Sequence, residues 1–248
     1  MNNDSIIFYK NNGGQFEKIQ SFLSSEGIIR QISWVDYDNN GTLDLCITYD
    51  QHGLKLYKNL GDFVFEDVST SSGVYPSVSK PYGFSFVDYD LDSDLDIYLT
   101  NYESPGVSQE GNMFFENQGN GTFIEKAIEL AIDNGVHASF MGVWFDYNND
   151  NLIDLHVIND RSFGNDAFYQ NSGNGIFSDV SDNIGLLNSG QNPMSISISD
   201  YNNDGFQDIF ISDFGVDSIT NGAGPFHHKL FENQEGVYFL DKAIEYEM

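Results

Sequence analysis

Oxygen-bearing side chains recur in four nine-residue blocks of this chain, at a spacing suited to holding a cation. The blocks read DYDNNGTLD at Asp36–Asp44, DYDLDSDLD at Asp88–Asp96, DYNNDNLID at Asp146–Asp154 and DYNNDGFQD at Asp200–Asp208. Side-chain oxygens stand at positions 1, 3, 5 and 9, and position 7 can offer its backbone carbonyl. The first block presents Asp36, Asp38, Asn40, the Thr42 carbonyl and Asp44; the second presents Asp88, Asp90, Asp92 and Asp96, with Asp94 at position 7. The third presents Asp146, Asn148, Asp150, the Leu152 carbonyl and Asp154; the fourth Asp200, Asn202, Asp204, the Phe206 carbonyl and Asp208. Ligands at alternate residues of a tight turn aim at one centre, and the hard cation that takes six to eight oxygens at about 2.3–2.6 Å is calcium. Magnesium fits less well, because it demands a smaller octahedron and keeps its waters.

Without a cation these turns are costly. Carboxylates about 4 Å apart repel by roughly 1 kcal/mol per pair in water and by more near protein. Asp and Asn also build turns with no ion present. Four copies in register, each with Asp at positions 1 and 9 and Tyr at position 2, favour about four bound calcium ions. Two copies depart from Gly at position 6, with Ser93 and Asn151 in its place. An EF-hand is excluded: it needs a bidentate Glu at position 12, where this chain has Ile47, Leu99, Val157 and Ile211.

The elements that position these blocks also repeat. The block starts lie 52, 58 and 54 residues apart. Between them runs a second motif, YKNNGGQF, YKNLGDFVF, FENQGNGTF, YQNSGNGIF and FENQEGVYF, whose Asn is Asn11, Asn59, Asn117, Asn171 and Asn233. Its Gly-containing turn between aromatic residues reads as a hairpin. Short apolar runs such as Leu45–Ile47 and Ile209–Ile211 follow each block and read as strands. Four strands per period of roughly 55 residues is a β-propeller blade, so the chain is expected to be all-β. The expected layout is one repeat domain over 1–248, with an N-terminal half-blade at 1–30 and blades at approximately 31–80, 81–138, 139–193 and 194–248. KAIEYEM at the end of the chain repeats KAIELAI of the second blade, which suggests a piece of a larger propeller, for example one of seven blades. Helix is hardly signalled beyond a possible turn at Glu125–Ile132.

Composition sets limits on function. The net charge of −28, from 38 acidic against 10 basic residues, opposes binding to nucleic acid or anionic membranes. With 40% hydrophobic and 15% aromatic residues, the chain can build a sizeable core. A single cysteine, Cys46, forbids an internal disulfide. No apolar run approaches the roughly 20 residues of a membrane helix, and the first residues lack the pattern of a signal peptide.

Turns alternate between the two faces of an antiparallel blade, so metal loops and Gly hairpins share one face and the variable connections share the other. Variable loops on a rigid scaffold are where function commonly lies. Candidate ligand-binding residues on that second face are Asn101, Tyr102, Asp160, Arg161, Asp213 and His227, the last two in the long connection Asp213–His228. Pairing with a neighbouring acid is the plainer role for Arg161, and solvation the plainer role for His227 and His228. His156 shares a repeat position with Cys46, Tyr98 and Phe210 and reads as packing.

These motifs resemble the FG-GAP/VCBS repeats of integrin-α-type propellers. The alternation of DYNNDGFQD with FENQGNGTF, together with the Asn-Asp-Arg at 159–161 ahead of AFYQNSGNGIF, is similar to the cartilage acidic protein and UnbV-type (ASPIC/UnbV) group. The resemblance implies an extracellular, cell-surface or envelope protein whose propeller binds a protein or carbohydrate partner, with calcium serving structure. The leading functional expectation is therefore a non-catalytic adhesion or recognition module with no nucleic-acid partner and no membrane insertion. The alternatives are a propeller-fold enzyme acting on polysaccharide, as a lyase would, and a scaffold attached to another domain.

Overall fold

The computed structural model describes the chain apart from residues 1–5, 20–26, 51, 75–79, 103–109, 161–164, 174, 187–191, 214–215, 218–221, 224–227, 244 and 246–248. An antiparallel pair comes first, β1 (Phe8–Asn12) and β2 (Gln15–Ile19). Four antiparallel four-stranded sheets follow. The first holds β3 (Ile29–Val35), β4 (Asp44–Tyr49), β5 (Gly53–Asn59) and β6 (Phe65–Asp67), followed by a single turn of helix, α1 (Ser69–Ser72). The second holds β7 (Pro81–Val87), β8 (Asp96–Asn101), β9 (Met113–Asn117) and β10 (Phe123–Glu125). The third holds β11 (Ser139–Phe145), β12 (Asp154–Asn159), β13 (Ala167–Asn171) and β14 (Phe177–Asp179). The fourth begins with β15 (Pro193–Ser199) and β16 (Asp208–Asp213). The short pair β17 (Val216–Asp217) and β18 (Gly222–Ala223) then precedes its outer strands β19 (Lys229–Gln234) and β20 (Tyr238–Asp241). The architecture is that of β-propeller blades, as the repeat predicts.

The register explains why the acidic blocks are turns. Each runs between the last residue of a first strand and the first residue of a second strand, paired as Val35 with Asp44, Val87 with Asp96, Phe145 with Asp154 and Ser199 with Asp208. The second strands β4, β8 and β12 are buried along their whole length. A blade interior is covered on both faces, so continuous apolar runs replace alternation there. Each core cluster draws on two neighbouring blades. Val35, Cys46 and Leu56 pack with Phe84, Ile97 and Phe115; Tyr98 and Phe114 pack with Leu155, Val157 and Phe177; Phe145 and Phe168 pack with Ile209 and Phe231. Phe8 of the N-terminal pair packs with Leu45, Ile47 and Tyr57 in the same way.

Side-chain size is exchanged between blades. A Cβ at Gly142 would lie 2.7 Å from Cδ1 of Tyr98, so the bulky ring of one blade rests on bare backbone of the next. In the blade before, the small Cys46 shares its cluster with the large Phe84, which stands where Gly142 does one repeat later. The segment Glu125–Ile132 forms a turn, closed by Leu130 N–H to the Lys126 carbonyl and Ile132 N–H to the Ala127 carbonyl. The helical turn α1, ended by Gly73 at φ 85°, was not signalled by any periodicity, since four residues are too few to show one.

Candidate metal centre

The four loops share a backbone shape that the Asp-rich pattern did not announce. Position 4 takes positive φ in all of them, at Asn39, Leu91, Asn149 and Asn203, and so does position 6, at Gly41, Ser93, Asn151 and Gly205. The departures at Ser93 and Asn151 therefore keep the left-handed conformation that glycine adopts without strain. The position 1 carboxylate fastens the turn. Asp36 accepts N–H bonds from Asn40 and Gly41 at 3.0 and 2.9 Å, and Asp200 accepts them from Asp204 and Gly205 at 3.0 and 2.9 Å. Asp146 does the same with Asp150 and Asn151, and Asp88 accepts from Ser93.

The position 9 carboxylate is buried and joins loop to hairpin. Its Oδ1 accepts the N–H of the hairpin asparagine at 2.8 Å in every blade, pairing Asp44 with Asn59, Asp96 with Asn117, Asp154 with Asn171 and Asp208 with Asn233. Its Oδ2 accepts the N–H of the position 2 tyrosine at Asp96, Asp154 and Asp208. Burial pushes Asp96 up to about 8 and Asp154 up to about 7, and it raises Asp44 and Asp208 as well. Burial, and next the neighbouring Asp92, raises Asp90. The loops thus concentrate negative charge where water is partly excluded, and they favour a positive occupant.

Three carboxylates converge in the first two loops. Oxygens of Asp36, Asp38 and Asp44 lie within 4.8 Å of one another, and so do those of Asp88, Asp90 and Asp92. Among the described residues, three buried oxygens there have no hydrogen-bond partner: Asp38 Oδ1, Asp44 Oδ2 and Asp88 Oδ1. A buried carboxylate oxygen left unpaired is expensive, and an all-oxygen donor set of this kind suits a hard divalent cation. The residues present therefore fit such an ion. In the third and fourth loops position 3 is an asparagine. Asn148 and Asn202 donate their amide N–H to Asp150 Oδ2 at 2.9 Å and Asp204 Oδ2 at 2.8 Å, so a side-chain amide bridges positions 3 and 5.

Other expected ligands are engaged elsewhere. The Asn40 side-chain oxygen accepts from both the backbone N–H and the hydroxyl of Thr42. Asp94 turns away from its own loop and accepts from Asn39 Nδ2 of the neighbouring blade at 2.7 Å. Asp150 Oδ1 and Asp204 Oδ1 accept the position 7 N–H groups of Leu152 and Phe206. Lys58 Nζ lies 2.7 Å from Asp38 Oδ2, a built-in counter-charge at the first loop. The residue before the hairpin asparagine is Glu116 in the second blade and Glu232 in the fourth, where it accepts the hydroxyl of Tyr89 or Tyr201. Sequence spacing could not assign the partnerships of Asp94 with Asn39, Asp38 with Lys58, or Glu116 and Glu232 with Tyr89 and Tyr201, because they join different loops and strands.

The hairpin asparagines are the functional residues that a ligand-centred reading overlooks. Asn117 Nδ2 donates to the Tyr37 carbonyl at 2.8 Å, Asn171 to that of Tyr89 at 3.5 Å and Asn233 to that of Tyr147 at 2.8 Å. Each thereby ties its blade to the acidic loop of the blade before. Their recurrence in all five hairpins was the available signal.

Loop-to-loop contacts add a second tie. Asn39 Nδ2 also reaches the Ser93 carbonyl at 3.2 Å, and Asn149 Nδ2 reaches the Gly205 carbonyl at 3.1 Å. Leu91 occupies the equivalent place in the second loop, exposed and at φ 63°. Replacing Leu91 with asparagine is expected to raise stability by about 1–2 kcal/mol, through relief of left-handed strain and a new inter-loop bond. Thermal unfolding of L91N checks this, and an unchanged or lower midpoint counts against the inter-loop tie.

On the opposite face, the proposed ligand residues hold the connections together. Asn101 is buried and donates its N–H to Asn112 Oδ1 at 2.9 Å and its side-chain amide to the Gly111 carbonyl. Asn159 donates its N–H to Asp166 Oδ1 at 2.7 Å, and Asp213 donates its own to His228 Nδ1 at 3.3 Å. These three pairs are one latch repeated between second and third strands. Asp160 is buried and accepts the Tyr102 hydroxyl. Tyr102 is half-buried and lines a pocket. Arg161 and His227 lie outside the described residues.

Asp166 carries a pH signature. Burial, with Asp213 as a like charge nearby, pushes its carboxyl up to about 7, although the Asn159 N–H works the other way. A pKa raised by folding gives stability that is present at low pH and lost as pH rises through the folded value. Asp166→Asn keeps the acceptor for Asn159 and removes the charge. It is expected to gain about 2–4 kcal/mol over the native chain at pH 8, shrinking towards pH 4. A gain independent of pH in denaturant titrations would contradict the assignment.

A family model described as an FG-GAP-like repeat matches residues 36–99 and 146–211, more than half of the chain. No curated protein matches it. No helix among the described residues is long and apolar enough to cross a membrane. With acidic loops, hairpins and four-stranded blades in register with that match, the chain belongs to the FG-GAP-like repeat family.

Proposed function

We propose that this chain is a calcium-stabilised, non-catalytic recognition module that works outside the cytoplasm, in adhesion or ligand capture at a cell surface or envelope. The observation that carries the reading is the convergence of Asp36, Asp38 and Asp44, and of Asp88, Asp90 and Asp92, around buried carboxylate oxygens with no hydrogen-bond partner among the described residues. Asp96, Asp146, Asp154, Asp200 and Asp208, with Asn148 and Asn202 at position 3, would complete sites in the remaining positions. When bound, calcium neutralises the loops and fixes their shape; the protein's own residues then hold each loop to its hairpin and to the next blade.

The chemistry-bearing side chains support a non-catalytic role. Burial holds the Cys46 thiol well above its ordinary range and depresses His156 to about 3, so neither serves as a nucleophile or base near neutral pH. An extracellular setting would supply calcium in the millimolar range that extracellular modules typically use. The Asn-Asp-Arg segment and the alternating motifs support kinship with the cartilage acidic protein and UnbV-type group in particular. Calorimetric titration of the chelator-treated chain with calcium tests the proposal. Saturable binding of about four ions is expected, with at least one site lost in D36A/D38A and another in D88A/D90A. A flat isotherm would sink it.

A further inference from the structure

We infer that Lys58 is a built-in substitute for the ion at the first acidic loop, so that this loop keeps its shape when empty and is the last of the four to fill with calcium. The inference deepens the calcium reading of the same loops and rests on it.

One repeat position carries the difference. The residue before the hairpin asparagine is Lys58 in the first blade, Glu116 in the second, Gln170 in the third and Glu232 in the fourth. In every blade the asparagine N–H is bonded to the position 9 carboxylate, which fixes the preceding residue beside the loop. The same backbone place therefore brings a positive charge to one loop, none to another and a negative charge to two. At the first loop the Lys58 ammonium lies 2.7 Å from Asp38 Oδ2. The Asp38 side chain is only 12% exposed and that of Lys58 37%, so the lysine reaches in from the surface to a shielded carboxylate. At the second loop Glu116 accepts the Tyr89 hydroxyl and pairs with Lys126 at 3.0 Å instead. Both loops bring three carboxylates within 4.8 Å of one another, but only the first has an ammonium bonded to one of them among the described residues.

Competition follows from the geometry of Asp38. Its Oδ2 carries the ammonium, while its Oδ1 is buried with no hydrogen-bond partner among the described residues, in the cluster with Asp36 and Asp44. An ion in the loop and the ammonium would share one carboxylate, and like charges a few ångströms apart repel. That repulsion weakens the ion. With no ion present, the ammonium offsets part of the repulsion among the three acids. Lys58 also has a second acid within reach, because it stands opposite the exposed Glu66 in the register of β5 and β6, a separation at which opposite charges attract. Its counterparts Glu116, Gln170 and Glu232 stand opposite the uncharged Ile124, Ser178 and Leu240. Among the four blades, the first alone offers the side chain an acid to move to when an ion arrives.

The test is calorimetric titration of the full, chelator-treated chain with calcium, joined to thermal unfolding in calcium and in chelator. In the native chain the weakest site is expected to be the one lost in D36A/D38A. Lys58→Gln is expected to tighten that site about tenfold and to leave the others unchanged. The same substitution should lower the midpoint by about 2–4 °C in chelator but not in saturating calcium. Lys58→Arg keeps the charge and should match the native chain in both measurements. A lysine that merely packs would lower both midpoints alike and leave the affinities where they were. Unchanged affinity in Lys58→Gln, an equal midpoint loss with and without calcium, or a weakest site that survives D36A/D38A overturns the inference and leaves the calcium reading standing. A flat isotherm for the native chain overturns the calcium reading and this inference together.

Discussion

Chelating calcium from the folded chain is expected to lower its unfolding midpoint by roughly 10–20 °C. A ligand that binds only the folded state stabilises it by RT ln(1 + [L]/Kd). With Kd values on the order of 10⁻⁴–10⁻³ M, the range of extracellular modules, and about 2 mM calcium, each site contributes about 0.7–1.8 kcal/mol. Four sites give about 3–7 kcal/mol, a large share of the 5–15 kcal/mol typical of a domain. The loss should be largest at low salt, where repulsion among Asp88, Asp90 and Asp92 is least screened. Scanning calorimetry with calcium, with magnesium and with chelator reads the effect. Equal midpoints in all three would mean that the loops need no ion.

Asn117→Ala is expected to destabilise the chain by about 3–5 kcal/mol. The Asn117 side chain donates to the Tyr37 carbonyl at 2.8 Å and the Leu95 carbonyl at 3.2 Å and accepts the Gly119 N–H at 3.1 Å. Alanine leaves these groups without their partner in a buried setting, at about 1–3 kcal/mol for each group left fully unpaired. Asn59 is the internal control. It donates to Leu43 and accepts from Gly61 within its own blade, with no tie to a preceding loop among the described residues. Asn59→Ala should therefore cost about 1–2 kcal/mol less, the difference being the inter-blade bond. Equal losses in denaturant titrations of the two variants would show that Asn117 acts only within its hairpin.

The two effects are linked through the position 9 aspartate. Asp96 holds the Asn117 N–H on one oxygen and the Tyr89 N–H on the other, and Asn171 in turn holds the Tyr89 carbonyl. Acidic loop, hairpin and next blade thus form one chain of bonds, so an ion bound in a loop would also stiffen the seam between blades. That seam reaches through β7 and β11 to the opposite face, where Arg30, Tyr82 and Phe140 meet.

Repetition made much of this legible. Asp at positions 1 and 9, Tyr at position 2 and Asn in every hairpin mark blade boundaries, because a turn shared by four blades must keep its hydrogen-bonding residues. Local spacing also brings out the candidate loop ligands, but not that Asn40, Asp94, Asp150 and Asp204 accept N–H groups of the protein. Other assignments needed the fold. Asp94 sits at a ligand position, yet it bonds to Asn39, which is distant in sequence and adjacent in space. Asn101 and Asp213 looked like surface residues of variable loops and are buried latches.

The sequence alone determined the strand count per repeat period, the strand and loop order, and which turns concentrate negative charge, because each depends on residues within a few positions of one another. Only the tertiary structure decided which carboxylate oxygens remain unpaired, which asparagine spans two blades, and that Arg30 meets Tyr82. Those facts depend on how one blade's side chains fall against the next, and neighbouring blades meet through residues about fifty positions apart, where sequence spacing carries no geometric information.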